Sequence, residues 1–412
     1  ITIDLTAYPP DPVSPENGSY LNYRQNITLD WTDGYDPAGV RKYWIMTDND
    51  NDFSSPALDE KFIATQSYMD FDAPADDKYF WHVKLKDWAG DDSGVGEGNW
   101  SDWSDTFWFI VDTLPPIVKP RLGPQNNENS RSAQITFSWI EAIDNTAYTT
   151  DVSGIDYYEL WIDNDSDMKS PENVLTYPST TATITLPDNI WYWAIVVYDK
   201  AGNKDNSQLA TPWKLTVDNT PPPAPALSAP DNDAETNDNT PKFEWQEVFD
   251  VTGVTYEIWI DNTPTFDNSG GHLIIENTDN TWFIPSFELG DERYYWRVRA
   301  WDGKDWNASR ENGPFSKTWA LLIDTVPPDR PTSSPQYTEY YAGEPTAYYA
   351  GDGFLITENN KVRVHWNNVM DHSNSPTEEK AGLKYYELWI DNDPDFSSPE
   401  YIQFSVDNVF MT

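Results

Sequence analysis

The sequence predicts an all-β chain of tandem antiparallel β-sandwich domains, and three observations carry that prediction. A short β-like run, an Asp and a Pro-Pro pair recur at Asp4, Asp112, Asp218 and Asp324, spaced 108, 106 and 106 residues apart. The same aromatic-rich runs return in the same order inside each period. One of those runs alternates bulky apolar and polar residues with a period of two, the pattern of a half-buried strand. A fixed period of this length marks a repeat architecture.

The elements follow in order. A first run ends in Trp: ITLDW at Trp31, ITFSW at Trp139, KFEW at Trp245 and VRVHW at Trp366. A second run reads KYWIMTDNDNDF, YYELWIDNDSDM, YEIWIDNTPTF and YYELWIDNDPDF, each closing in an Asp/Asn-rich turn. The first repeat departs from the pattern, with Met46 where the others have Trp161, Trp259 and Trp389. A third run places Trp81, Trp193 and Trp296 six residues before Asp87, Asp199 and Asp302. In it Trp296, Val298 and Ala300 share one face, as do Trp193, Ile195 and Val197, and Trp81, Val83 and Leu85. A last run holds Trp108, Trp213 or Trp319 and leads into the Asp-Pro-Pro joint. No segment sustains a 3.6-residue period, so helices are expected to be minor.

The repeats divide the 412 residues into units 1–112, 113–218, 219–324 and 325–412. The frame is out of phase: ITID looks like the closing strand of a preceding unit. The fourth unit stops after its turn and one further strand, and it carries a Tyr-rich insertion. With no initiator Met and no signal-like apolar stretch at Ile1, this fits a processed chain or a window on a longer array. The alternative is strand donation, in which the ITIDL strand of one subunit completes the last unit of the next.

These motifs are similar to those of fibronectin type III-like and immunoglobulin-like tandem modules of bacterial and archaeal surface proteins. The resemblance rests on the Trp-terminated strand, the Y-E-L-W-I-D-N-D-x-D-F strand and turn, the Y-Y-W-x-V-x-A-x-D strand and the V-D-T-x-P-P joint. It covers essentially the whole chain. It implies Ig/FnIII-like sandwiches in a rod-like array, and roles that range over stalks, adhesins, surface layers, filaments and enzyme spacers.

Composition narrows the partners. Against 69 acidic residues stand 26 basic ones, a formal net charge of −43, which lacks the basic footprint that nucleic acid and anionic membranes require. Bound divalent cations, a salty habitat or colloidal solubility each account for such acidity. The chain has 21 Trp and 32 Pro but no Cys, which leans away from a disulfide-stapled eukaryotic secreted array and toward a bacterial or archaeal surface protein, or an intracellular one. No apolar run is long enough to span a bilayer.

The chemistry-bearing candidates are few. Alternate carboxylates in the turns Asp48/Asp50/Asp52, Asp163/Asp165/Asp167 and Asp391/Asp393/Asp395 suit calcium, a hard cation that takes six to eight oxygens. No EF-hand Gly or bidentate Glu accompanies them. In the third repeat Asp261-Asn262-Thr263-Pro264-Thr265 has lost two acids while the pattern persists, which favours a plain Asx-type turn. The joint aspartates Asp87, Asp199 and Asp302 end one strand, and Asp112, Asp218 and Asp324 end the next. Two such residues of one unit lie at opposite poles, so a joint Asp would have to meet a loop of the following unit to bind calcium. The Pro-Pro pairs stiffen the joints without metal by fixing φ.

Sequons occur at Asn17, Asn26, Asn99, Asn164 and Asn307. Trp88, Tyr198 and Trp301 are candidates for stacking on sugars or on neighbouring sheets. The insertion residues Tyr337, Tyr340, Tyr341, Tyr348 and Tyr349 form a candidate contact surface. The four His share no ligand spacing, and no nucleophile-elbow, metalloprotease or phosphate-loop motif appears. The expected function is a non-enzymatic structural subunit of an extracellular surface assembly, self-assembling with identical subunits. The alternatives are an adhesin stalk or glycan-binding surface protein, and spacer modules of a secreted enzyme.

Overall fold

The computed structural model describes residues 7–63, 66–88, 98–144, 153–269, 271–302 and 313–328, with short strand segments between 336 and 411. The chain groups into two compact units, Ile1–Asn219 and Thr220–Thr412. The first holds two separate hydrophobic cores and the second holds one among the described residues.

The first repeat sets the pattern. Its strands are β1 (Pro12–Ser14), β2 (Ser19–Leu21), β3 (Ile27–Trp31), β4 (Val40–Asp48), β5 (Leu58–Ile63), β6 (Tyr68–Phe71), β7 (Asp77–Asp87) and β8 (Phe107–Val111). They form a three-stranded sheet, β1-β3-β6, and a five-stranded sheet, β2-β8-β7-β4-β5.

The second repeat reproduces this with β9 (Arg121–Gly123), β10 (Glu128–Ser130), β11 (Gln134–Trp139), β12 (Ile155–Asp163), β13 (Asn173–Tyr177), β14 (Thr181–Thr185), β15 (Asn189–Asp199), β16 (Lys204–Asp205) and β17 (Trp213–Val217). Its sheets are β14-β11-β9 and β10-β17-β15-β12-β13, with β16 added to β15. A 3₁₀ turn at Ser207–Ala210 is the one helical element among the described residues.

In the third repeat β18 (Leu227–Ala229), β20 (Phe243–Trp245) and β23 (Trp282–Phe283) make the small sheet. The large one runs β19 (Ala234–Thr236), β25 (Trp319–Ile323), β24 (Arg293–Asp302), β21 (Val254–Asp261), β22 (Ile274–Thr278).

The described part of the fourth repeat is fragmentary. β26 (Gln336–Thr338), β29 (Arg363–His365) and β32 (Val409–Met411) pair as one sheet; β27 (Tyr348–Tyr349) pairs β28 (Leu355–Ile356), and β30 (Tyr386–Ile390) pairs β31 (Tyr401–Ser405). Two strands therefore follow the last Asp-rich turn, where the sequence pattern suggested one.

The sheets are not purely antiparallel. β2 runs parallel to β8, β10 to β17 and β19 to β25. The first strand of each repeat leaves the small sheet at Pro15, Pro124 or Pro230 and joins the large one beside the closing strand. A ring nitrogen cannot donate to a ladder, so proline marks where pairing with the first sheet stops.

The inward set read from the third run is buried in each of the first three repeats, although in the second Ala194 and Val196 on the opposite face are buried as well. Trp81, Val83, Leu85, Trp193, Ile195, Val197, Trp296, Val298 and Ala300 are all fully buried. Phe137 meets Trp193 edge-on at 5.0 Å, as Phe243 meets Trp296 at 5.0 Å. A second edge-on pair joins the Trp of the early strand to a Tyr of the next: Trp31–Tyr43 at 5.3 Å, Trp139–Tyr158 at 5.5 Å and Trp245–Tyr256 at 5.6 Å. Such geometry suits the ring quadrupoles.

Two residues before each core Trp stands a side chain that ties the strand entry to the preceding corner. Tyr79 Oη donates to Ala75 O at 2.9 Å, Trp191 Nε1 donates to Pro187 O at 3.0 Å, and Tyr294 Oη accepts from Gly290 N at 3.0 Å. A tyrosine corner at this place is a hallmark of immunoglobulin-like sandwiches. Tyr79 and Tyr294 take that place, Trp191 stands in for it in the second repeat, and with the three-plus-five strand order each of the first three repeats is a fibronectin type III-like sandwich.

The Nε1 groups of Trp81, Trp193 and Trp296 are buried without a hydrogen-bond acceptor. Their value lies in ring volume, not in a hydrogen bond. Trp193→Ala is expected to destabilise the second repeat by about 3–5 kcal/mol, the usual cost of emptying an aromatic core site. Trp193→Phe should cost much less, having no hydrogen bond to lose. Urea unfolding followed by fluorescence checks both; equal losses would contradict this account.

Candidate metal centre at the joint of the first two repeats

The Asp-rich turns do not gather their carboxylates. Asp48 Oδ1 accepts from Asp50 N at 3.3 Å and Oδ2 from Ser55 N at 3.0 Å. Asp163 Oδ1 accepts from Asp165 N at 2.9 Å, Asp165 Oδ1 from Asp167 N at 3.3 Å, and Asp167 Oδ1 from Lys169 N at 2.9 Å. One oxygen of each of these carboxylates caps the amide two residues on, as in Asx turns, while Asp48 Oδ2 reaches Ser55 and Asp163 Oδ2 is buried with no hydrogen-bond partner among the described residues. Asp52 caps Ser54 N in the same way at 2.8 Å. Asp391, Asp393 and Asp395 lie outside the described residues.

Carboxylates converge instead at the joint. Asp112 closes β8 of the first repeat. Asp144 sits five residues after Trp139 in the loop that leaves β11, and Asp199 ends β15. One oxygen from each lies within 4.8 Å of the others, the only such group among the described residues. Asp112 and Asp199 are each 2% exposed.

Backbone and side-chain donors fix the trio. Asp112 Oδ2 accepts from Ser153 N at 3.0 Å and Ser153 Oγ at 2.7 Å. Asp144 Oδ2 accepts from Gly154 N at 2.5 Å. Asp199 accepts from Asn203 N at 2.8 Å and Asn203 Nδ2 at 2.9 Å, and the same Nδ2 donates to the Asp112 carbonyl at 2.8 Å. Further along the joint, Val118 N donates to Asp205 Oδ2 at 3.0 Å. A strand end of one repeat is thus built into the pole of the next.

Three carboxylates in so dry a place repel one another. Burial pushes the Asp199 carboxyl above its usual range, Asp112 and Asp144 raise it further, and the Asn203 hydrogen bonds oppose the rise. Three carboxylates are the hard oxygen donors that a divalent cation such as Ca²⁺ takes, and Ca²⁺ would need further oxygens to fill its shell.

The sequence reading named Asp112 and Asp199 but passed over Asp144. A signal was present: an Asp stands five residues after the early-strand Trp at Asp36, Asp144, Asp250 and Asp371. The first repeat shows a related pole. Asp87 is fully buried and accepts from Asn99 N at 2.7 Å and Asn99 Nδ2 at 3.2 Å, as Asp199 does from Asn203. Gly98, at φ +58°, is needed there, since a Cβ would lie 2.4 Å from Asp87 O.

The remaining candidates fall as follows. Asn17 and Asn26 are exposed, and Asn17 Oδ1 accepts from Trp108 N at 3.0 Å. The exposed Asn164 donates its amide to Glu172. Asn99 spends its amide on Asp87, so a glycan there would compete with the pole; Asn307 lies outside the described residues. Trp88 is 58% exposed, with the Arg41 guanidinium 4.9 Å above its ring. Tyr198 stacks on Tyr157 at 4.6 Å, and Trp301 lies 4.7 Å beneath Arg299. Of the insertion, Tyr337 lies in β26 and Tyr348 and Tyr349 form β27, while Tyr340 and Tyr341 lie outside the described residues. No helix of the described residues is long and apolar enough to cross a membrane.

No family model and no curated protein matches the chain. Solved structures do. The fibronectin(III)-like modules of Clostridium thermocellum CbhA share 13% identity, with 50% of this chain and 93% of that one covered and a TM-score of 0.31. The FN1–FN3 domains of chicken CNTN1 share 12% identity, with 77% and 99% covered and a TM-score of 0.22. At such scores the fold assignment rests on this chain's own strand order and corners.

The raised Asp199 pKa fixes the sign of a test. Its contribution favours the fold below the unfolded value near 3.8 and is lost as pH rises through the folded value. At neutral pH without divalent cations, Asp199→Asn is therefore expected to unfold at higher denaturant than the parent. Calcium at 100 times its Kd should stabilise the parent by about 2.7 kcal/mol and leave the variant nearly unmoved. Equal calcium gains in both would remove the metal centre.

Proposed function

We propose that the chain is a non-catalytic structural segment of an extracellular assembly on a bacterial or archaeal surface, built from four sandwich units, 1–112, 113–218, 219–324 and 325–412, that associates with identical subunits. The observation that carries this reading is the joint. Asp112 directly follows the last strand of one core and is hydrogen-bonded inside the pole of the next, through Ser153 and Asn203. A flexible linker between independent modules would leave such a residue in solvent.

Mechanical continuity follows from that geometry. Bending the joint would strip Asp112 of its donors while it is still desolvated, and an unsatisfied buried charge is costly. Calcium held by Asp112, Asp144 and Asp199 would add a cross-link of three carboxylates from two repeats. The formal charge of −43 suits a dense, cation-bathed surface layer, where like-charged subunits stay soluble until counter-ions screen them.

Negative-stain imaging of the purified chain with calcium and with a chelator tests the proposal. Ordered polymers with straight segments are expected in calcium, and their loosening on chelation. Dispersed monomers in both conditions, retained on a glycan array, would replace this reading with an adhesive one.

A further inference from the structure

One strand position sets the first repeat apart. In the third repeat Glu257 on β21 lies opposite Arg299 on β24, and the two form an ion pair, Nη2 to Oε1 at 2.7 Å and Nε to Oε1 at 3.0 Å. The second repeat has Glu159 at the matching position, opposite Val196. The first repeat has Trp44, opposite Lys84. An acid that balances or outweighs the basic residues on the outer face of the large sheet is replaced there by an indole, while the lysines remain.

The result is a stripe of alternating rings and ammonium groups. Lys61 Nζ lies 3.6 Å and Lys84 Nζ 4.3 Å from the Trp44 ring centre. Lys84 also lies 4.3 Å from the ring centre of Trp103 and 5.3 Å from that of Trp100, and Lys86 5.4 Å from that of Trp100. At one end His82 is stacked between Phe53 and Trp103, 3.8 Å from each. Burial lowers its pKa to about 4, so the charge at neutral pH is carried by the lysines. At the other end Lys42 stands directly opposite Lys86 in the register. Among the described residues neither Lys61 nor Lys84 has a carboxylate at ion-pairing distance. Trp44 Nε1 takes up Asp59, and Asp102 acts on Lys84 only at longer range.

The stripe is also rigid. The segment bearing Trp100 and Trp103 is laced to β7 by Ser104 N to Val83 O at 2.9 Å, Val83 N to Ser104 Oγ at 3.0 Å, Ser101 N to Leu85 O at 2.9 Å and Leu85 N to Ser101 Oγ at 3.1 Å. Like charges placed side by side on one sheet face cost stability. Here they gather in a chain whose acids outnumber its bases 69 to 26.

We infer that this outer face of the first repeat is a docking surface for the acidic surface of a second copy of the chain. The inference rests on the self-assembly reading above and gives it a surface. Charge complementarity selects the partner: among the described residues Lys61 and Lys84 form no ion pair, and the rest of the chain supplies carboxylates in excess. Preorganised aromatics beside cations are the residues that dominate interfaces. The Trp44 ring is already covered by Lys61 and Lys84, so the stripe offers charge and ring edges rather than an open face for stacking on a sugar.

Sedimentation velocity of the full chain tests this, with Lys61→Glu, Lys84→Gln and the control Lys169→Glu, an exposed lysine in the turn of the second repeat. Far-UV circular dichroism and melting confirm folding, and exposed Lys61 gives a variant that leaves the core untouched. Association should weaken about tenfold or more in both stripe variants, persist in the control, and fall at about 1 M salt, where the Debye length is about 3 Å. Association unchanged by Lys61→Glu and Lys84→Gln would overturn the docking surface while leaving self-assembly standing. A parent that stays monomeric in low salt would overturn both. A monomeric parent that binds a soluble polyuronate through these lysines would replace the second copy with an anionic glycan.

Discussion

An indole sealed between two sheets is the constraint on which the rest of this chain depends. Trp81, Trp193 and Trp296 are each fully excluded from solvent, at the centre of a core of its own. A side chain of that volume holds the two sheets apart at one spacing. That spacing sets where the edge-on Phe137 or Phe243 can sit. The Tyr or Trp two residues earlier then has one place to anchor, and the Asp six residues later emerges at one pole. The joint geometry is thus a downstream result of core packing. The buried Nε1 atoms without acceptors show that ring volume outweighed the cost of an unsatisfied donor.

The joint and the stripe use the same scaffold in opposite electrostatic senses. At the pole, acids are crowded into a dry space where they raise the pKa of Asp199 and invite a cation. On the outer sheet face of the first repeat, lysines are crowded among rings and invite an anion. Both concentrate charge against its own repulsion, and both do so on segments held by hydrogen bonds to neighbouring backbone. A chain of −43 that only needed solubility could have spread its charge evenly.

Much of the fold was legible because its determinants are local and periodic. A period of two through Trp296, Val298 and Ala300 names the inward face without any knowledge of the partner strands. The parallel pairing of β2 with β8 was not legible, because three residues such as Ser19–Leu21 carry no periodic signal and their partner lies some ninety positions away. In the two described Asp-rich turns the carboxylates mainly cap amides of their own turn, and the reason is related. Sequence proximity suggested a shared ion for Asp163, Asp165 and Asp167, but a turn uses alternate acids to bind its own amides. Asp112, Asp144 and Asp199 are far apart in sequence and meet only once two repeats are stacked. Asp144 was nonetheless readable from its constant distance to the preceding Trp. The repeat-one exchange of Glu for Trp44 was visible in the alignment of repeats, but its meaning needed the register that puts Lys84 across from it.

The short parallel strand beside each closing strand has a consequence for how such a chain is made. Tandem copies of one fold are prone to exchanging strands with their neighbours while still incomplete. In each described repeat the closing strand is covered on both sides, by β2 and β7 in the first, and the outermost ribbon is only three residues long. At that edge a finished module presents a ladder of only three residues, whereas the opposite edge strands β5, β13 and β22 run five or six. Those three residues guard the closing strand, the one that leads into the next module.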